Sequence, residues 1–540
     1  MAGIAVSLLV IPQSLAYAQL AGVPAYYGLY AAFIPSIIAV LFGSSGILST
    51  GPVALTSLLT AASVSHIAAP GTAEFISYVT LLSLLSGLFQ IGLGMARAGV
   101  LLNLLSHPVL MGFINAAALI IALSQLPALT GIVVPQTDHF LLDIWPLLTK
   151  IQTAHAMSLA LGLFGLALLY GFKRFAPRLP GVLFMVAILT WLSYAINFAE
   201  FGGKIVGDVP AGIPSLSVPA MSGRSILLLL PAAFIIAMIS FMEAMSSSKV
   251  IAIKTRIRWD ENQELIGQGL AKVASAFCNS MPVSGSFSRS ALNLASHAKT
   301  GFSSLIAAGL VLLTLLYFTP VLYHLPKPAL AAMIILAVAN LIDFSTMQNA
   351  WRANKDDGIA AILTFVATLA FAPNIQNGIL IGVIFSLGAF IYRRMFPLVV
   401  LVGRDTDGSL HDADLRDLPP PHEKIGAVRF DAALFFANVS FFEDAILKLE
   451  RENSKLEYIL VIANGINHLD SSAVEMLRAL SRHLRECGIT LVFSGAKRQF
   501  LEVAERTGLT REIGRDNLFV SDDQALKSLI GRIDAHVIQT

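Results

Sequence analysis

Along the first three quarters of the chain polar positions are sparse, and apolar runs follow one another with short breaks. A helix needs about 20 apolar residues to cross a bilayer. By that measure the runs predict helices over 2–20, 28–42, 74–95, 100–126, 156–173, 180–197, 225–247, 264–280, 302–319, 327–341, 359–373 and 376–395. Two further runs, 52–65 and 286–297, are apolar but too short to cross. Each follows a glycine, in Thr50-Gly51-Pro52 and in Ser284-Gly285-Ser286. They bring the count to fourteen, and each short run is third in its group of seven. Short, glycine-interrupted segments at matching positions of two halves point to a transporter site at the bilayer midplane. Because each half has an odd number of segments, the halves are expected to be inverted.

Beyond residue 420 the pattern changes. Residues 428–430, 458–462 and 490–493 read as strands. The run 471–487 places Val474, Leu477, Leu480 and Leu484 at helical spacing, behind Asp470 as N-cap. Helices are expected near 497–507 and 522–533, and strands alternating with helices indicate a small α/β domain. The stretch 403–422, with Asp405-Thr406-Asp407-Gly408 and Pro419-Pro420-Pro421, reads as polar connector. The expected division is a membrane domain at 1–396, a linker at 397–422 and an α/β domain at 423–540.

Composition agrees with two solvents. The 540 residues are 56% hydrophobic and 13% charged, too apolar for a soluble protein of this length. Within 1–130, Glu74 and Arg97 are the only acid and the only base, whereas 420–540 carries 15 basic and 17 acidic residues. The basic residues also orient the chain. Arg97; Lys173, Arg174 and Arg178; Lys249, Lys254, Arg256 and Arg258; Lys299; Arg352 and Lys355; Arg393 and Arg394 all fall on one side of a fourteen-segment chain. The positive-inside rule makes that side cytoplasmic. Lys204 and Lys327 fall on the other side, so the bias is strong but not absolute. Cys278 and Cys487 lie in different solvents, which argues against a disulfide or a zinc site. No cofactor and no metal are expected. A net charge of +2 gives no reason to expect nucleic acid. With no hydrophilic leader before Ala2, the sequence is expected to be truncated at its N-terminus.

Ile11-Pro12-Gln13-Ser14-Leu15-Ala16-Tyr17-Ala18, followed by Ala21-Gly22-Val23-Pro24 and Gly28-Leu29-Tyr30, resembles the opening signature of the SulP sulfate-permease family. TGPVAL at 50–55, NQELIGQGLAK at 262–272 and GSFSRSALN at 285–293 are further matches, in family order. The tail resembles a STAS domain, the module this family carries after its membrane domain. The cytoplasmic stretch that the family has before its first helix is missing. The resemblance implies two inverted seven-segment repeats divided into a core and a gate, with the anion between the two half-helices. It also implies a homodimer in a multi-pass inner (plasma) membrane location, with the STAS domain in the cytoplasm, where it could bind a partner.

Helix N-termini carry unpaired N–H groups and partial positive charge, so two facing half-helices make an anion cradle. The candidates are Val53, Ala54 and Leu55 on one side and Ser286, Phe287 and Ser288 on the other. Arg289 adds a permanent charge with a fork of donors suited to oxyanions; pairing with an acid is the alternative reading. Gln13 and Tyr17 are four apart and share a helix face. The family pattern places that face at the site, and helix–helix hydrogen bonding is its ordinary alternative. Glu243, inside the eighth segment, is the candidate proton-coupling group. Burial disfavours a charged carboxyl; ionised it repels a dianion, and protonated it donates a hydrogen bond. A constant Glu243–Arg289 ion pair is the competing reading. Asp470-Ser471-Ser472-Ala473 matches the loop phosphorylated in soluble STAS regulators, which makes Ser471 or Ser472 a candidate site, although a helix cap explains the same residues.

The expected function is secondary active transport of a small inorganic anion by alternating access, with sulfate and proton symport implied by the resemblance. Bicarbonate, chloride or dicarboxylate transport, sodium coupling and anion exchange stay open. A membrane-tethered STAS regulator is the reading from a different class; it leaves the half-helices, Arg289 and Glu243 without a task. No enzyme motif is present.

Overall fold

The computed structural model describes residues 2–99, 106–132, 149, 151–176, 179–405 and 409–539. The first residues of the 100–126 run, Arg178, and Thr406, Asp407 and Gly408 of the connector lie outside them. The chain forms two compact units, Met1–Ser386 and Leu387–Thr540.

Helices occupy all fourteen expected positions. The first half holds Ala2–Leu20, Tyr26–Phe42, the half-helix Ala54–Val64, Ala73–Met95, His107–Ser124, Ala156–Phe175 and Gly181–Ala195. The second holds Gly223–Thr255, Glu261–Phe277, the half-helix Phe287–Ala295, Phe302–Leu313, Lys327–Ala339, Lys355–Ala370 and Gln376–Met395. Two short strands precede the half-helices, β1 (Ser49–Gly51) and β2 (Ser284–Ser286). They pair antiparallel, with Thr50 opposite Gly285. Strands that run in opposite directions send their half-helices away in opposite directions, as inverted repeats require.

Contacts sort the helices into two groups. Ala73–Met95 packs on Glu261–Phe277 and Gly223–Thr255, Tyr26–Phe42 packs on Glu261–Phe277, and Ala2–Leu20 packs on Phe302–Leu313. In the other group His107–Ser124 packs on Lys355–Ala370, and Lys327–Ala339 on Ala156–Phe175. These are the core and gate halves of the membrane domain. In lipid, helices associate through close packing of small residues. A Cβ at Gly87 would lie 2.7 Å from the Gly269 carbonyl, and one at Gly269 would lie 2.7 Å from the Gly87 carbonyl. Only glycine allows that approach.

The pattern of apolar runs had no place for Phe344–Ala353, a helix with no buried residue. Asp343 caps it, accepting from the Ser345 and Thr346 amides at 3.0 and 3.3 Å. Asn115 binds the Asp343 backbone on both sides, donating to its carbonyl at 3.0 Å and accepting from its amide at 2.6 Å. The helix Gly223–Thr255 runs 33 residues, well past the expected end at 247.

In the second unit six strands form one sheet, ordered β4-β3-β5-β6-β7-β8. They are β3 (Val399–Arg404), β4 (Leu410–Asp412), β5 (Ile425–Phe430), β6 (Tyr458–Ile462), β7 (Thr490–Ser494) and β8 (Leu518–Phe519). β5 to β8 are parallel and β3 runs antiparallel to β5. The strand period of two sends Val428, Phe430, Ile459, Val461, Leu491 and Phe493 to one face, against the helices Val439–Glu452, Ser471–Glu486 and Arg498–Arg506. Ile425, Ala427, Leu460, Ile462 and Val492 face the helix Asp522–Gln539. The stretch expected as linker contributes β3 and β4. Its Val399-Val400-Leu401-Val402 run is rich in β-branched valine, and Val399 to Leu401 pair with β5.

Candidate functional site

Where β1 and β2 meet, both chains turn into helices. Val53 is the extended N-cap of Ala54–Val64, and Val53, Ala54 and Leu55 are all buried. Ser286 caps the other half-helix, its hydroxyl accepting from the Arg289 amide at 3.5 Å and lying 3.3 Å from the Ser288 hydroxyl. Phe287 and Ser288 are exposed. A Cβ at Gly285 would lie 2.9 Å from Ala244 Cβ, so β2 lies close against the helix that carries Glu243.

Arg289 is one of the largest fully buried side chains. Its Nη1 donates to the Pro52 carbonyl at 2.8 Å and its Nε to Ser49 Oγ at 3.4 Å. Both acceptors belong to the opposite repeat, so the guanidinium bridges the two half-sites. Its Nη2 has no hydrogen-bond partner among the described residues. Glu243 Oε2 and Gln13 Oε1 are likewise buried and unpartnered among them. Glu243 lies in the electrostatic field of Arg289 and Lys272, and Tyr17 in that of Arg289 and Glu243. No Glu243–Arg289 contact within 4.0 Å occurs among the described residues. The fold therefore brings Tyr17, Glu243, Arg289 and the two half-helix starts together. A buried polar atom without a partner costs about 1–3 kcal/mol.

A second polar group escaped sequence reasoning. NQELIGQGLAK reads as a helix entry, yet Glu264, Gln268 and Lys272 are all buried. Glu264 accepts from the Ser44 and Ser45 amides at 2.9 and 2.8 Å and from Gln268 Nε2 at 2.9 Å. Gln268 also donates to Thr50 Oγ1 at 2.8 Å, which ties this helix to β1. Lys272 Nζ donates to Gln90 Oε1 at 2.9 Å. Spacing alone puts Glu264, Gln268 and Lys272 on one helix face, since positions four apart share a face, but it does not say whether that face is buried.

In the second unit Asp470 caps Ser471–Glu486 by accepting from the Ala473 amide at 2.9 Å, and its other oxygen accepts from the Phe436 amide at 2.8 Å. Ser471 and Ser472 are exposed. Glu450, His483 and Cys487 come within 4.8 Å of one another, a grouping the separation of the two cysteines did not suggest. The 3.3 Å His483–Glu450 contact accounts for two of the three.

Comparison with known proteins places these features in a group. The model of the Sulfate permease family matches residues 1–364, and that of the STAS domain matches residues 420–525. The probable sulfate transporter 4.2 of Arabidopsis thaliana is 33% identical, over 98% of this chain and 80% of its own. The chloroplastic sulfate transporter 4.1 of the same plant is 31% identical, over 98% and 79%. The probable sulfate transporter Rv1739c of Mycobacterium tuberculosis is 31% identical, over 98% and 94%. Among solved structures, the murine Solute Carrier 26 family member A9 anion transporter in the inward-facing state superposes with a TM-score of 0.91 at 22% identity, over 97% of this chain and 90% of that one. The transmembrane domain of the cyanobacterium bicarbonate transporter BicA gives 0.59 at 22% identity, over 72% and 96%.

Proposed function

The chain belongs to the sulfate permease family, and from that membership we propose that it is a proton-coupled sulfate symporter working by alternating access. At the coarser level it is a multi-pass membrane transporter of anions and not an enzyme. Sulfate is favoured because the relatives above 30% identity are titled sulfate transporters. The observation that carries the mechanism is the meeting of Arg289 and Glu243, each with an unpartnered buried atom, at the paired starts of the half-helices.

The chemistry follows from charge. Half-helix amides and Arg289 attract an oxyanion without removing a proton from it. Ionised, Glu243 opposes a dianion; protonated, it stops opposing it and can donate to a sulfate oxygen. Proton and sulfate then bind together, and the loaded core moves past the gate. Gln13 and Tyr17 form the wall on the first helix. Val53, Ala54, Leu55, Ser286, Phe287 and Ser288 supply the cradle. In this reading the protein is a homodimer of the plasma membrane with a cytoplasmic STAS domain. That domain is open to a protein partner and to phosphorylation at Ser471 or Ser472.

The test uses one set of liposomes and two measurements: sulfate accumulation against an imposed pH gradient, and sulfate–sulfate exchange at equal pH. Glu243→Gln resembles the protonated state, so exchange is expected to persist while gradient-driven accumulation is lost. Accumulation at the wild-type level in that variant sinks proton coupling through Glu243 and leaves an exchanger or a sodium symporter.

A further inference from the structure

This inference rests on Glu243 as the coupling carboxyl. Lys272 is wholly buried in the core half of the membrane domain. Its single hydrogen-bond partner among the described residues is neutral: the ammonium donates to Gln90 Oε1 at 2.9 Å. Gln90 in turn donates to the Ala237 carbonyl at 2.8 Å and to Ser240 Oγ at 3.1 Å. The Ser240 carbonyl accepts from Ser284 Oγ at 2.7 Å. A polar chain thus runs from Lys272 through Gln90 and Ser240 to Ser284 of β2, and Ser240 sits three residues before Glu243 on the same helix.

One neutral acceptor does not offset the cost of taking an ammonium out of water. The opposite charge whose field reaches Lys272 is Glu243. The groups that face Glu243 are Arg289 from the half-helix, Lys272 from Glu261–Phe277, Tyr17 from the first helix and Ser284 from β2. Two basic side chains, Arg289 and Lys272, therefore share one carboxyl. With Glu243 ionised the site holds a surplus of one positive charge; with Glu243 protonated it holds two, the charge that balances a dianion.

We propose that Lys272 supplies a second positive charge to the anion site and so sets its preference for divalent over monovalent anions. Lys272 does not touch the anion. It positions the electrostatic potential of the site and holds down the pH at which Glu243 takes up its proton. Removing its charge leaves Arg289 alone to balance the anion, which suits a monoanion. It also lets Glu243 protonate at higher pH.

The experiment compares the full-length protein with Lys272→Gln, which keeps a polar partner for Gln90, and Lys272→Met, which keeps only bulk. Labelled sulfate uptake into liposomes is measured from pH 5 to 8, with unlabelled sulfate or chloride as competitor. In both variants the half-maximal pH of sulfate uptake should rise by about one unit, a tenfold change in proton affinity. The potency of chloride relative to sulfate should rise about tenfold as well. Equal loss of both anions with an unmoved pH midpoint, in whichever variant reaches the membrane, overturns the proposal and makes Lys272 a packing residue. A wild-type uptake indifferent to pH brings down the coupling reading and this one together. A pH-driven wild type with unshifted variants brings down this one alone.

Discussion

Arg289 spends two of its donors on the opposite repeat and keeps Nη2 free of any described partner. Arg289→Ala therefore removes both the bridge to Pro52 and the charge, and sulfate uptake should fall at every pH. Arg289→Lys should recover part of it, because a lysine offers a point charge without the fork. Unchanged uptake kinetics in the alanine variant would take Arg289 out of the site. Gly51 gives a subtler probe. A Cβ there would lie 3.2 Å from Nη2, so Gly51→Ala must displace the guanidinium by a few tenths of an ångström. The expected result is a raised KM for sulfate with normal membrane insertion, read from initial rates over a sulfate series. The positions of Gln13, Tyr17, Glu243 and Arg289 were visible as polar residues in apolar runs. That three of them leave buried atoms unpaired was not, because hydrogen-bond satisfaction depends on neighbours far away in sequence.

The Glu261–Phe277 helix is a strut. Glu264 and Gln268 hold the turn after Tyr26–Phe42 and the strand β1, and so fix where the first half-helix begins. Glu264→Leu would leave the Ser44 and Ser45 amides without their acceptor, at a cost of about 2 kcal/mol or more. A lower melting temperature in detergent, by several degrees, checks this; an unchanged one would mean the turn finds other partners. In the STAS domain, Arg482 donates to Glu512 at 2.7 Å and ties Ser471–Glu486 to the short helix Leu509–Ile513. That hydrogen bond holds the Glu512 carboxyl below its usual range. A lowered folded-state pKa means the stabilisation is present above the ordinary glutamate range and is lost as pH falls through the folded value. Acidification from pH 6 to 3 should therefore lower the protection of the amides at this contact, read in the full chain against the intrinsic exchange rate at each pH, and Glu512→Gln should remove that loss of protection.

At the scale of the whole molecule, orientation is the sharpest claim. Lys254 lies exposed in the last turn of Gly223–Thr255, on the side the basic residues mark as cytoplasmic. A cysteine placed there should resist impermeant maleimide in intact cells, and ready labelling would defeat the fourteen-segment count.

Hydrophobic periodicity and run length by themselves determined the solvent of each region, the number of membrane segments, the two half-helices and three of the six α/β strands. Those are local properties: a run of 20 apolar residues or an alternation of period two is complete within its own window. The glycine before each short run even marked where the two half-helices begin. Only the tertiary structure decided which polar groups meet. Lys272 and Gln90 are 182 residues apart, and Arg289 and Pro52 are 237 apart. Nothing local distinguishes the buried lysine at the end of NQELIGQGLAK from a solvated one at a helix entry. β3 was lost to the linker for the same reason, since a β-branched run directly after a membrane helix becomes a strand only when β5 is there to pair with it. Pairing and burial arise from packing across the chain, where a charge must be matched by a partner because water is not there to do so.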